Sequence, residues 1–291
     1  MSSSYITNSL IFRRSWLILS LTVASILAAE MNAQRIAVIT PDNSAVEGML
    51  AAAIADSVPG PGLIQDLEMS RTAFESAKIE HPFNMTTDDA RRLGRTIGAD
   101  LYVLVRAAVQ RRIALGRPDY FEAHAALFIV SSRTGRLIDW RSLSETAPTV
   151  DKAMDNLSKR MRPIGNEILS QLKATETRES AEPALPAMEE ISDAENSSIK
   201  DFRPPVPYRR IKPLYPTTAF LYEIAATIEI TIDIDAAGEI TRTEITRWAG
   251  YGLDESVRNA VNSMKWRPAE RNNRSIPMRV MLRYNFKKID K

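Results

Sequence analysis

The 291-residue sequence contains no cysteine. That excludes disulfides, thiolate metal sites, cysteine nucleophiles and a lipid-modified N-terminal cysteine. It suits an oxidising compartment, where an unpaired thiol is a liability. Only two histidines occur. His81 stands before Pro82 in an expected loop, and His124 precedes an apolar strand. Neither has a second histidine at ligand spacing, so both read as structural rather than metal-binding. Gly-x-Gly-x-x-Gly, Walker and Gly-x-Ser-x-Gly patterns are missing. Ser256 follows Asp254-Glu255 with no partner base in view. The net charge is only +2, so no nucleic-acid partner is expected. Asp88-Asp89 read as helix-cap charges. Asp233 and Asp235 read as the wet face and turn of a strand, since a calcium loop needs more oxygen ligands. The pairs Arg111-Arg112, Arg209-Arg210 and Lys287-Lys288 read as solvated faces, the last able to favour an acidic partner. No metal, cofactor or catalytic group is expected, and the chain reads as a binding protein rather than an enzyme.

The N-terminus carries an address. Arg13-Arg14 precede an uncharged, mostly apolar run over Ser15–Ala29. This matches the length of a signal-peptide core and falls short of the roughly 20 residues of a spanning helix. Small residues at Ala28, Ala29 and Ala33 offer cleavage points. Residues 1–34 are therefore a signal peptide or a short uncleaved membrane anchor. Both place the remainder outside the cytoplasm, in the periplasm, with inner-membrane anchoring as the second case.

The composition, 44% hydrophobic and 25% charged, is that of a globular protein of about two domains. The expected fold class is α+β. Residues 35–173 form an α/β sandwich on a mixed sheet. Its expected strands are Ile36–Ile39, Leu63–Gln65, Leu101–Val109, Ala123–Val130 and Arg136–Leu143. Its expected helices are Ala45–Ser57, Ser70–Ile79, Thr87–Ile97 and one long helix over Val150–Leu172. Gly135 is placed for the left-handed conformation in the hairpin turn Ser131–Gly135. The step Gly98-Ala99-Asp100-Leu101-Tyr102-Val103-Leu104, with the later Thr134-Gly135, is similar to the periplasmic domains of the curli-channel and TolB N-terminal families. Residues 174–206, rich in Glu, Ser, Ala and Pro, read as a flexible linker.

The tail, residues 207–291, opens with Ile211-Lys212-Pro213-Leu214-Tyr215-Pro216. Ile228, Ile230, Ile232 and Ile234 alternate with Glu229, Thr231 and Asp233, which gives a strand with one buried face. Asp235-Ala236-Ala237-Gly238 is a turn, and Glu239–Trp248 a second strand. Asp254 is placed to cap a helix whose apolar face is Leu253, Val257, Ala260, Val261 and Met264. Trp266-Arg267-Pro268-Ala269 ends it, and Pro277–Phe286 closes the tail as a third strand. Trp266 reads as core. Tyr-Pro, an Asp-rich turn with Gly, Gly252-Leu253-Asp254 opening a helix, then Trp-x-Pro-Ala: in this order the tail resembles the C-terminal domain of the TonB family of periplasmic energy transducers.

That resemblance implies a small β-sheet packed by helices, whose exposed edge pairs with an extended segment of an outer-membrane receptor. The edge is then Pro277–Phe286, with Arg279, Met281, Arg283 and Asn285 outward, and Tyr215 and Pro216 nearby. The alternative is that this strand is internal or pairs with a second copy in a homodimer. Inner-membrane motor proteins are implied as further partners in energy-dependent transport. The family's anchor carries a histidine for that coupling, and the leader here has none. The second function reading is therefore an envelope scaffold or activator, docking to another cell-envelope protein without a motor.

Overall fold

Alternation along the strands builds two sheets, and the way they meet positions everything else. The computed structural model describes residues 35–113, 116, 118–181 and 201–287. The leader, residues 182–200 of the expected linker and Lys288 of the last basic pair lie outside the described residues.

The N-terminal sheet has the order β1-β2-β3-β4, with β1 (Ile36–Ile39) parallel to β2 (Leu101–Arg112) and β3 (Tyr120–Ser131) and β4 (Leu137–Ala147) antiparallel. The sheet is mixed, as expected. All of β1 is buried, so both faces of the sheet are covered. One face carries Ile36, Val38, Leu101, Val103, Leu127 and Ile129 against α1 (Ala45–Ser57), α4 (Val150–Met161) and α5 (Ile164–Ala181). Ser44 and Glu47 form a capping box at the start of α1. Glu47 is buried, which raises its pKa, and its Oε1 accepts from the Ala107 N–H at 3.3 Å. Gly135 has φ 70°, and a Cβ there would run into the Thr87 carbonyl. Only glycine can make that turn.

Three sequence expectations need correction here. Leu63–Gln65 is no strand; Ile64 makes only an isolated bridge to Ile36. The second helix, α2, runs over Leu67–Ala77, shifted toward its Asp66 cap, which accepts from the Met69 N–H at 2.9 Å. The long helix is two, α4 and α5, with the break at Arg162-Pro163. Proline supplies no amide donor there and interrupts the ladder. The next helix, α3 (Thr87–Ile97), keeps its expected bounds.

The expected linker also begins later than its composition indicates. Helix α5 continues to Ala181, and Leu172, Thr175 and Glu179 in it are buried. Glu179 accepts from Arg133 Nε and Thr134 Oγ1, each at 2.7 Å, which ties the helix end to the β3–β4 turn. At the other end, β5 (Phe202–Arg203) pairs with β10 (Ala269–Arg271), and β6 (Val206–Pro207) pairs with β9 (Trp266–Arg267). Residues 201–207 thus belong to the tail.

The tail's main sheet has the order β12-β7-β8, all antiparallel, from β12 (Met278–Phe286), β7 (Ala226–Ile234) and β8 (Ile240–Arg247). The β7 isoleucines are buried against α7 (Leu253–Asn262), with the short α6 (Thr217–Leu221) preceding β7. The last short strand, β11 (Arg274–Ile276), completes the order β11-β10-β5. Gly238 has φ 84° and leaves no room for a Cβ beneath the Trp266 carbonyl, which explains the glycine in that turn.

The two sheets are not tethered beads. The second face of the N-terminal sheet, with Ala37, Ile39, Tyr102, Leu104, Phe128 and Val130, belongs to the same buried cluster as Ile228, Ile230, Trp248, Tyr251, Leu253 and Val257 of the tail. Phe128 lies 6.1 Å from Trp248 and 5.8 Å from Tyr251, ring centre to ring centre. Polar contacts fix the register. Trp248 Nε1–H donates to the Gly135 carbonyl at 3.0 Å, and Asn84 Nδ2 donates to the Thr227 and Trp248 carbonyls at 2.8 and 2.9 Å. Arg136 pairs with Glu244 at 2.8 Å. The two units therefore share one core; α2, α3 and the tail together cover the second face. No helix among the described residues is long and apolar enough to cross a membrane.

Candidate functional site

Strand β12 pairs with β7 and with nothing else among the described residues, so its other side is a free row of backbone donors and acceptors. The opposite margin of the sheet is different. Thr86 bridges to Arg247 at the end of β8, and the Trp248 N–H donates to the Met85 carbonyl at 3.2 Å. Beside β8 lies a cavity of about 430 Å³, walled on its far side by Leu137–Trp140 of β4 and by Arg178 and Glu179 of α5. The N-terminal unit thus ties down the Arg247 end of the β8 margin and faces the rest across the cavity, while the β12 margin stays open.

The residues expected on the open edge fall on one face of β12. Arg279, Met281, Arg283 and Asn285 stand opposite Asp233, Thr231, Glu229 and Thr227 of β7. Met281 is 51% exposed. The arginines do more than solubilise the edge. Arg279 grips Asp233 through two bonds of 2.6 and 2.8 Å, and Arg283 Nε donates to Glu229 at 2.9 Å. Both carboxylates are buried. The expected wet face of β7 is thus dried by arginine side chains, and Asp233 is no solvated group. Asn285 Oδ1 accepts from Thr227 Oγ1 at 2.9 Å. Asp235 does serve the turn, its Oδ1 accepting from the Ala237 and Glu239 N–H groups at 2.8 and 2.9 Å.

Tyr215 reaches the end of this edge. Its ring stacks on Phe286 with centres 6.0 Å apart, and its hydroxyl donates to the Ile224 carbonyl at 2.7 Å. Pro216 sits one residue on, at the start of α6, against Gly252. The structure brings Tyr215 to β12 and leaves Pro216 as a packing residue of the loop. A cleft of about 900 Å³ opens at the same end, between Arg283, Asn285 and Phe286 and the N-terminal residues His81, Phe83 and Arg106.

Sequence reasoning missed the groups that hold the site in place. Asp254 is not the helix cap; Gly252 occupies that position with φ 78°. The Asp254 carboxylate turns back and accepts from the Gly250 N–H at 2.6 Å and the Ala249 N–H at 3.1 Å. Burial pushes its pKa up to about 7. His124 stacks on Tyr222 with ring centres 4.7 Å apart, across the junction of the two units. Burial lowers its pKa, and its Nδ1 has no hydrogen-bond partner. Trp266 is core, as expected, with its Nε1 also unpartnered. The available signal was the run Trp248-Ala249-Gly250-Tyr251-Gly252. Two large aromatics interleaved with alanine and glycine mark a segment that packs closely on something else.

Residues 211–287 match the sequence model of the Gram-negative bacterial TonB protein C-terminal family, so this stretch is a TonB-type C-terminal domain. No curated protein matches the chain. Among solved structures, the C-terminal domain of Pseudomonas aeruginosa TonB is 20% identical, with 36% of this chain and 98% of that chain covered and a TM-score of 0.27. The hypothetical protein CT253 from Chlamydia trachomatis is 12% identical over 48% of this chain and 99% of its own, TM-score 0.33. Lipoprotein GNA1162 from Neisseria meningitidis is 16% identical over 47% and 99%, TM-score 0.33.

Proposed function

We propose that this chain is a TonB-like periplasmic coupling protein that binds an extended segment of an outer-membrane receptor by strand addition to β12, in energy-dependent transport. The open edge of β12 carries this reading. Strand addition uses backbone hydrogen bonds for affinity and flanking side chains for selection. Met281 is the exposed side chain at the centre of the strand, and the cleft by Phe286 could receive the end of the added segment.

A second reading is favoured by the shared core. A TonB-type domain locked onto the chain's own N-terminal sheet cannot swing far on a linker. It suits an envelope scaffold or activator that docks another envelope protein without motor subunits. The leader's lack of a histidine points the same way.

One experiment separates the outcomes. Hydrogen–deuterium exchange of the full chain is followed with and without N-terminal peptides of outer-membrane receptors from the same genome. Protection of β12 amides alone supports strand pairing. No protection with any such peptide sinks it. Recovery of a cell-wall enzyme rather than motor subunits by the cross-linked full chain in cells supports the scaffold.

A further inference from the structure

The stretch that leads into the TonB-type domain has a surface unlike the rest of the molecule. Tyr208 is 75% exposed, Leu214 81%, Phe220 47% and Leu221 54%. Arg209, Arg210 and Lys212 between them are exposed too, and no ion pair engages them among the described residues. No acidic residue occurs from Val206 to Tyr222. Glu223 follows the stretch directly, and Glu255 stands on α7, next to the Ser256 that bonds Leu214.

The backbone beneath is pinned. The Tyr208 N–H donates to the Lys265 carbonyl at 2.9 Å, Ser256 Oγ donates to the Leu214 carbonyl at 2.6 Å, and Pro216 abuts Gly252. The stretch therefore runs along α7 from its C-terminal end to its N-terminal end, with Ile211 and Tyr215 packed inward and Tyr208, Leu214 and the basic side chains exposed. Large apolar groups held in water without a partner mark an interaction surface.

We propose that this strip, residues 206–221, seats the protein on an anionic phospholipid surface. Charge complementarity selects the occupant: exposed aromatic and aliphatic tips interleaved with unpaired basic groups fit the boundary between headgroups and acyl chains. A protein partner would need pockets for its anchoring side chains. None of these four apolar residues lines a cavity described above, and a fluid bilayer requires none. Because Tyr215 stacks on Phe286, a seated strip would hold the open end of β12 beside the membrane. The inference stands whether or not β12 recruits a strand.

The absence of cysteine gives a clean test. Leu214→Cys in the full chain is labelled with an environment-sensitive fluorophore, and Met69→Cys, on α2 and also exposed, serves as the control. Phosphatidylglycerol vesicles should shift the Leu214→Cys emission to the blue and leave the control unchanged. Each basic group near such a surface contributes about fivefold at low salt. Arg209→Gln, Arg210→Gln and Lys212→Gln together should thus weaken the response on the order of 100-fold, and added salt should weaken it further. No shift, or an equal shift on phosphatidylcholine, overturns the proposal. So does a shift that needs an added outer-membrane protein, which would assign the strip to a protein partner.

Discussion

If the two units share one core, a cavity cut in the N-terminal sheet must loosen the TonB-type domain. Phe128 is the residue to cut. It is fully buried in β3, with ring centres 5.3 Å from Phe83, 6.1 Å from Trp248 and 5.8 Å from Tyr251. Two of those rings belong to the tail. Phe→Ala in a packed core costs about 3–5 kcal/mol. Domains are stable by only about 5–15 kcal/mol in total. The expected drop in melting temperature is roughly 6–20 °C, from about 2–4 °C per kcal/mol at this chain size. The assay is hydrogen exchange through a denaturant series, read separately on β3 and β7 amides. In the wild type both should open together, and in Phe128→Ala both should open at the same lower midpoint. Independent domains behave otherwise: β3 would shift and β7 would stay where it was. That result would refute the shared core, and with it the tied-down end of the β8 margin.

Four further outcomes follow from the same contacts. Gly250 has φ 68°, and a Cβ there would sit 2.7 Å from the Phe128 ring, so Gly250→Ala should destabilise the chain by at least about 1 kcal/mol, measured by denaturant titration. Arg279→Met should strand Asp233 as a buried charge and destabilise the tail by about 3–5 kcal/mol, whereas the double change Arg279→Met with Asp233→Leu should recover most of that loss. Asp254 has its folded pKa raised to about 7, so the folded state binds the proton more tightly; stability should fall as pH rises from about 4 through 7, and Asp254→Asn should flatten that slope in pH-stepped unfolding. His124 has its folded pKa lowered, so it opposes this trend by costing stability as pH falls below about 6.5, a loss that His124→Gln should remove.

Local patterns in the sequence revealed the elements, and long-range packing stayed hidden. The alternation of Ile228, Ile230, Ile232 and Ile234 is a backbone-period signal and found β7. The Gly-Leu-Asp step located α7 but not the direction of the Asp254 carboxylate, which turns back to amides ahead of the helix. Composition misled at residues 174–181. Their Glu, Thr and Ser read as linker, yet Thr175 and Glu179 fill a seam whose other wall, Arg133 and Thr134, lies far away in sequence. The second face of the N-terminal sheet was the larger omission. Ala37, Tyr102 and Phe128 alternate with residues facing α1, so the strands read as buried on both sides. Nothing in a single strand says whether the cover is a helix or another domain.

The fixed docking changes what an edge strand means here. A three-stranded sheet has two margins, and a free TonB-type unit would offer both to partners and to copies of itself. In this chain the N-terminal unit ties down one end of the β8 margin through Thr86 and Met85 and overhangs the rest across the 430 Å³ cavity. What remains is β12, whose two arginines are held by buried carboxylates and cannot easily swing away. Charged groups fixed along an edge discourage indiscriminate pairing, and the exposed Met281 between them leaves one apolar contact for a matched segment. Selectivity by this route needs Arg279 and Arg283 to stay in place, which makes Asp233 and Glu229 positioning residues for any strand that arrives. Asp233→Asn, which keeps the side-chain volume and removes the charge, should therefore weaken peptide-induced protection of β12 more than it lowers the tail's midpoint. Equal loss of both would mean that the pair serves the fold alone.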